Sequence, residues 1–292
     1  MNILVLGASG MLGSQLFLEI SGDSALKIFG TIRDVEIKNF FPRELGNQLI
    51  LIGDIFSEGE LSRIFKIATP DVVINCISLK RSHHNSFKEL IKTYSLLPHR
   101  LARICRLNHS RLILISSDGV FSGNNGNYNE SSMPDAEDDY GISKILGEVG
   151  GENIITIRTS IIGHELRSKV GLLEWFLAQE GTCRGYTKAI FSGLPTITLA
   201  RVINKYLICD DCNLNGIYNI SSEPISKFDL LSLISEKYHT KIDIIPDSSQ
   251  AIDRSLNSKH FHADTGCEIP SWPVLIDDMY NGYLKYKSLM AL

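Results

Sequence analysis

The 292-residue chain has no Lys/Arg-rich tract, and 33 acidic against 29 basic side chains leave a formal charge of −4. Without a basic patch there is no electrostatic footprint for nucleic acid or for an anionic membrane. No apolar run approaches the roughly 20 residues that span a bilayer. The first strand-like run starts at Asn2, leaving no room for a leader, so a soluble cytoplasmic protein is expected. Internal repeats and low-complexity tracts are absent too. Cysteine is present, six in all, but not at metal spacing. Cys209-Asp210-Asp211-Cys212 has no second pair and no spaced histidines. Its two aspartates disfavour a thiolate, and the segment reads as a helix end running into a loop at 213–216. Cys76 and Cys105 lie in apolar segments and read as small core residues. His83-His84 reads as a solvated loop pair. No metal site is expected.

What the chain does have is alternation. Asn2-Ile-Leu-Val-Leu6 is a short, continuous apolar run, as in a parallel strand covered on both faces. Further strands are expected at 25–31, 48–52, 71–77, 112–115 and 154–158. Helices are expected at 57–67, at 87–106 with an interruption near Pro98, and from Tyr140 to about Gly147. Repeated β–α units predict an α/β, Rossmann-type doubly wound parallel sheet. Residues 1–162 would form the dinucleotide-binding domain. Residues 163–292 would be mainly a smaller α/β substrate lobe, with a strand near 216–220 returning to the first domain.

Gly7-Ala-Ser-Gly-Met-Leu-Gly13 follows the first strand directly and leads into an amphipathic helix. In that setting Gly7 permits a tight turn and Gly10 lets backbone approach a pyrophosphate. Gly13 allows close helix–strand packing, and the helix N-terminus offers N–H donors. Right-handed crossovers would gather this loop, Asp54, Ile77-Ser78 and Ser116-Ser117 along one sheet edge.

Tyr140 and Lys144 are spaced i,i+4 and share one helix face. An ammonium beside a phenol favours the phenolate and lowers the tyrosine pKa toward working pH, which suits a general acid. Such a pair arises by chance about once in a chain this long, and Tyr283–Lys287 is a second example. Only the first has a strand-end hydroxyl, Ser117, ahead of it. At the end of the second strand, a carboxylate would select NAD and a cation NADP. Here Thr31 fills the acid position and Arg33 follows, so NADPH is expected and NADH is the alternative. Asp34 is the residue that could blur the choice.

These features resemble an extended short-chain dehydrogenase/reductase, and over nearly the whole chain the dTDP-4-dehydrorhamnose reductase group. Ile115-Ser-Ser-Asp-Gly-Val-Phe-Ser-Gly123 is similar to that group's Ser-Thr-Asp-Tyr-Val-Phe-x-Gly, and Tyr128-Asn-Glu130 to its Tyr-x-Glu. Tyr140-Gly-Ile-Ser-Lys-Ile-Leu-Gly-Glu148 matches Tyr-Gly-x-Ser-Lys-x-x-Gly-Glu. Arg158-Thr-Ser-Ile-Ile-Gly163, Gly193-Leu-Pro-Thr196, Gly216-Ile-Tyr-Asn-Ile220 and Arg254-Ser-Leu-Asn-Ser258 follow in order.

The resemblance implies NADPH-dependent reduction of the 4-keto group of a nucleotide-linked 6-deoxy sugar, in polysaccharide precursor synthesis. Ser117, Tyr140 and Lys144 would be catalytic, with Tyr140 and Lys144 also touching the cofactor. Gly7, Ser9, Gly10, Met11, Leu12 and Gly13 would line the pyrophosphate and Arg33 the adenosine ribose. Asp54 and Ile55 would line the adenine, and Cys76, Ile77 and Ser78 would pass beside the ribose and nicotinamide. Ser117, Asp118, Arg254 and Asn257 would meet the substrate. A homodimer is compatible with this reading.

Two departures stand out. Gly119 occupies the place of the group's Tyr, and Tyr94, four before Pro98, the place of a common Asn. Gly119 argues against a 4,6-dehydratase, which needs Asp-Glu at 118–119. It argues equally against the GDP-fucose-forming epimerase-reductase, which carries Cys there. The alternatives are a nucleotide-sugar epimerase and a non-catalytic dinucleotide-binding subunit, such as the regulatory subunit of methionine adenosyltransferase. His164, after the sixth strand, is expected to be a solvated loop residue or a sugar contact.

Overall fold

The computed structural model describes residues 1–79, 85–209 and 212–290. Its first half runs β1 (Asn2–Leu6), α1 (Met11–Ser21), β2 (Lys27–Ile32), β3 (Leu49–Leu51), α2 (Glu58–Ala68), β4 (Val72–Asn75) and α3 (Phe87–Leu90). A π-helical turn, Ile91–Leu96, leads into α4 (Leu97–Leu107), and β5 (Arg111–Ile115), α5 (Asp139–Ile145) and β6 (Ile154–Arg158) follow. Next come β7 (Ile161–Ile162), α6 (Leu172–Leu177), β8 (Thr182–Phe191), β9 (Leu194–Pro195) and α7 (Thr196–Leu207). The chain ends with β10 (Gly216–Asn219), β11 (Ile225–Ser226), α8 (Lys227–Tyr238), β12 (Asp243–Asp253), α9 (Lys259–Thr265) and α10 (Trp272–Met290).

Seven strands form one sheet in the order β10-β6-β5-β4-β1-β2-β3, and every pairing in it is parallel. The reversal of strand order beside β1 gives the Rossmann-type switch point. Alternate side chains go to opposite faces. Ile3, Val5, Ile74 and Ile113 join Leu16 and Phe17 of α1 and Leu199 of α7 in one core. Leu4, Leu6, Val73 and Leu112 join Ile64 of α2 and Leu101 of α4 in the other. A second sheet, β11-β8-β12, carries α8 against β8.

Boundaries move where local polar chemistry competes with the strand. The second strand starts at Lys27 because Asp23 Oδ1 accepts the Ala25 N–H at 2.9 Å and turns the chain first. The fourth ends at Asn75, whose side chain accepts the Ile77 N–H at 3.3 Å. The interruption near Pro98 takes the form of the π turn. Proline has no N–H to give the carbonyl four residues back, which is that of Tyr94. Gly147 packs there instead: a Cβ on it would stand 1.7 Å from the Tyr94 oxygen.

A buried ion pair joins β5, β6 and the end of α5. Arg158 Nε and Nη2 donate to the two oxygens of Glu148 at 2.8 and 2.7 Å, and Ser116 Oγ donates to Oε1 at 2.8 Å. Both charged side chains are nearly sealed, at 3% and 6% exposure. Removing one member leaves a charge stranded, at a cost of roughly 3–5 kcal/mol. Arg158→Leu is therefore expected to lower folding stability by about that amount, read as the shift in urea midpoint at unchanged slope.

Candidate active site

The turn after β1 is shaped by three glycines. Gly7 sits at φ +82°, and a Cβ on it would lie 3.1 Å from Ile77 N and 3.2 Å from the Cys76 carbonyl. A Cβ on Gly13 would stand 2.2 Å from Gly7 O. The helix is thus seated directly on the turn, and the chain leaving β4 flanks it. Gly10 is the N-cap of α1 and offers no side-chain cap to its first-turn N–H groups. Ser9, Met11 and Leu12 belong to this same turn and first helical residues. The cradle fits a dinucleotide pyrophosphate, held by backbone donors and the positive helix end.

At the end of β2, Thr31 is buried and its Oγ1 accepts the Gly7 N–H at 2.9 Å. Arg33 is exposed. Asp34 is fully engaged: Oδ1 accepts the Glu36 N–H, and Oδ2 pairs with the Arg167 guanidinium, which also reaches Glu36. The Glu36 N–H and then Arg167 hold the Asp34 carboxyl below its ordinary range. The ambiguity raised by Asp34 is thereby reduced. Asp54 is exposed and accepts the Phe56 N–H at 3.0 Å, while Ile55 is buried beside it. Ser78 Oγ lies 2.8 Å from Tyr94 Oη.

Ser117 ends β5's exit as the cap of a short 3-10 turn, its Oγ accepting the Gly119 N–H at 3.0 Å and donating to Asp118 Oδ1 at 3.1 Å. Asp138 caps α5 by accepting the Gly141 N–H at 2.8 Å, which sets Tyr140 in the first turn. The bare Gly119 brings the two together. The point where its Cβ would stand is 3.0 Å from Tyr140 Cε1 and 3.2 Å from Ser117 Oγ. Lys144 Nζ donates to the Ile115 carbonyl at 3.0 Å and lies 4.4 Å from the centre of the Tyr94 ring. Burial pushes this ammonium down to about 8, against the opposing pull of Glu148. Ser117, Tyr140, Lys144 and the glycine cradle therefore meet at one sheet edge.

Arg254 lies nearby, Nη2 3.7 Å from Asp138 Oδ2 and its Cγ against Gly123. Asn257 spends its side chain locally, donating to Asn127 Oδ1 at 3.2 Å and accepting the Lys259 N–H at 3.0 Å.

His164 is neither solvated nor facing this crevice. Its side chain is 11% exposed, with Nδ1 2.7 Å from Glu174 and Nε2 2.9 Å from Tyr238 Oη. Its ring stacks on Tyr283 at 3.7 Å. The second Tyr–Lys pair thus packs around an aromatic cluster. Cys209 and Cys212 both lean on the Tyr206 carbonyl, at 3.8 and 3.3 Å. His83-His84 lies outside the described residues. Sequence reasoning missed Arg167 as a support, and it named Ser116 and Arg158 without their bonds to Glu148. Glu148 stood within a quoted motif, and its burial opposite Arg158 was the unread signal.

The fold is Rossmann-type, with a glycine cradle and a Ser–Tyr–Lys set at the strand ends of its sheet. The chain belongs to the family described as RmlD substrate binding domain, whose model matches residues 1–283. It is similar in structure to a hypothetical dTDP-4-dehydrorhamnose reductase from Sulfolobus tokodaii, at TM-score 0.75 and 23% identity, covering 93% of this chain and 98% of that one. It is similar also to the dTDP-4-dehydrorhamnose reductase of Bacillus anthracis in complex with NADP, at TM-score 0.77 and 21% identity, covering 96% and 98%. The dTDP-glucose 4,6-dehydratase of the same organism, in complex with NAD, matches at TM-score 0.77 and 16% identity, covering 99% and 98%. No curated protein matches the chain in sequence.

Lys144 makes stability depend on pH. Below about 8 the ammonium is charged in folded and unfolded chains alike, and its burial cost is fully present. Between about 8 and the ordinary 10.5 the unfolded chain binds more protons, so stability rises with pH. At roughly 1.4 kcal/mol per pH unit the rise is on the order of 3 kcal/mol. Lys144→Met is expected to be more stable than wild type at pH 7 and to lack this slope, checked by urea midpoints at a series of pH values.

Proposed function

We propose that the chain reduces the 4-keto group of a nucleotide-linked 6-deoxy sugar with NADPH, as a cytoplasmic enzyme of polysaccharide precursor synthesis. The observation that carries this reading is the convergence of Ser117 Oγ and the Tyr140 ring on Gly119, with the Lys144 ammonium sunk beside them. The nicotinamide, when bound across the glycine cradle, supplies hydride to the carbonyl carbon.

The chain's own residues do the rest. Gly7, Ser9, Gly10, Met11, Leu12 and Gly13 hold the pyrophosphate, and Asp54, Ile55, Cys76, Ile77 and Ser78 flank the nucleosides. Arg33 faces the adenosine 2′-phosphate; Thr31 is turned inward, and the pairing of Asp34 with Arg167 offsets its charge there. Ser117 Oγ, turning its proton away from Asp118 Oδ1, donates a hydrogen bond to the ketone oxygen, a contact that strengthens as negative charge develops. Tyr140 delivers the proton to that oxygen, and the neighbouring Lys144 charge lowers the cost of the resulting phenolate. Asp118, Arg254 and Asn257 border the sugar nucleotide, with the segment 163–292 contributing most of the substrate lobe. Gly119 offers no carboxylate or thiol for elimination or epimerisation, which favours simple reduction.

Three measurements test this. Across 4-keto-6-deoxy sugars on dTDP, UDP, GDP and CDP, at least one should drive NADPH consumption. Tyr140→Phe should cut kcat by about a hundredfold or more while leaving the NADPH Kd within about twofold; equal turnover would reject the role. Inactivity over the whole panel would favour a dinucleotide-binding module. NADPH should exceed NADH in kcat/KM by about tenfold, and the reverse order would reject the assignment to Arg33.

A further inference from the structure

Tyr94, which stands where the resemblance leads one to expect Asn, touches Tyr140, Lys144 and the Ser78–Leu79 segment. It is buried, at 5% exposure, inside the π turn between α3 and α4. Its hydroxyl lies 2.8 Å from Ser78 Oγ and accepts the Leu79 N–H at 2.9 Å. Its ring meets Tyr140 edge to face, with centroids 5.4 Å apart at 84°. The Lys144 ammonium sits over the same ring at 4.4 Å.

The groups around that ammonium explain why the ring matters. Just beyond the end of its helix, Glu148 favours the charge but spends its hydrogen bonds on Arg158 and Ser116. From the exit of β4 comes the Cys76 thiol, pushed up to about 12 by burial and hence neutral. From β5 comes one carbonyl, that of Ile115. Tyr140 lies farther off, its ring centre 6.0 Å away. Among the described residues this desolvated ammonium donates to one carbonyl and to no carboxylate, and the face of an aromatic ring favours its charged form. An asparagine is too short to present such a face while also reaching Ser78 and Leu79.

Resting on the reductase reading, we propose that Tyr94 is a positioning residue with two separable jobs. Its ring keeps Lys144 protonated and in place beneath Tyr140, and its hydroxyl pins the Ser78–Leu79 segment along the cofactor cradle. The π turn makes both jobs available to one side chain. It carries Tyr94 inward, while Gly147 lets α5 come close enough for the ammonium to reach the ring.

Two substitutions separate the jobs. Tyr94→Phe keeps the ring and loses the hydroxyl; it should raise the NADPH Kd about threefold or more while leaving the alkaline limb where wild type has it. Tyr94→Leu keeps an apolar filling and loses the face. It should lower kcat about tenfold and move the alkaline limb about one pH unit lower. NMR titration of lysine-labelled protein follows Lys144 without turnover. Its midpoint should match wild type in Tyr94→Phe and fall in Tyr94→Leu. A Lys144 midpoint unchanged in Tyr94→Leu, or lowered equally in Tyr94→Phe, overturns the proposal. Should Tyr94→Leu not fold, Tyr94→Phe decides: a wild-type Lys144 midpoint with weakened NADPH binding supports it, and a lowered midpoint or unchanged binding rejects it. Wild type inactive on every sugar would instead reject the reductase reading, leaving the titration to judge Tyr94.

Discussion

The Glu148–Arg158 pair is the constraint on which the site depends. The carboxylate takes two donors from a β6 arginine and a third from Ser116 at the end of β5. It does so from just beyond the last turn of α5, one helical turn after Lys144. The rotation of that helix about its axis is therefore set by a buried charge rather than by apolar contacts, which tolerate sliding. A buried pair is weak as a net stabiliser, since desolvation offsets most of its attraction. Its value lies in how costly any other arrangement becomes. If α5 turned or slid, Glu148 would leave Arg158, and Lys144 would leave the Ile115 carbonyl. Arg158 has a further neighbour, Phe121, whose ring lies 5.2 Å from the guanidinium and stacks on Tyr128 at 4.1 Å. The same charge thus reaches the loop that leads from Ser117 to α5.

Two close backbone approaches bring the other parts in. On one side Gly13 lies against Gly7, and on the other Gly147 lies against Tyr94. Each replaces a side chain's width of separation by direct helix contact. The first seats the N-terminus of α1 over the edge of β1, so its donors face outward into the cradle. The second draws α5 onto the π turn and places Lys144 over the ring of Tyr94. Pro98 enables this approach, because a carbonyl without its helical donor is the one that Gly147 meets.

Most of the sheet could be read from the chain, because parallel strands buried on both faces are continuous apolar runs. The glycine cradle and the Ser117–Tyr140–Lys144 set could be read for a similar reason, since each requirement acts over a few neighbouring residues. What could not be read depends on partners distant in sequence. His164 meets Tyr238 across 74 residues, and no local pattern separates that from a solvated loop. Residues 243–253, polar and holding Pro246, do not alternate like a strand, yet they pair in parallel with β8 through a shift between Asp247 and Ala251. The two Tyr-x-x-x-Lys pairs make the point most directly. Both place an ammonium near a tyrosine ring, Lys287 lying 4.5 Å from the Tyr283 centroid. Only the tertiary surroundings differ: Tyr283 stacks on a histidine, whereas Tyr140 faces a serine across a bare glycine.

The two departures from the reductase pattern belong together. Tyr140 has Tyr94 edge-on at one side and Gly119 at the other, where a Cβ would crowd the ring at 3.0 Å. A large ring has been added where a small amide is usual, and a large ring removed where one is usual. The exchange keeps the space around Tyr140 filled, and interiors penalise both voids and excess volume. Either change alone would press on Tyr140 or leave a gap beside it. Together they bring Tyr140 onto Gly119 and set an aromatic face under Lys144. Position 119 thus bears on the placing of both Tyr140 and Ser117, since any side chain there would press on the ring of one and the hydroxyl of the other.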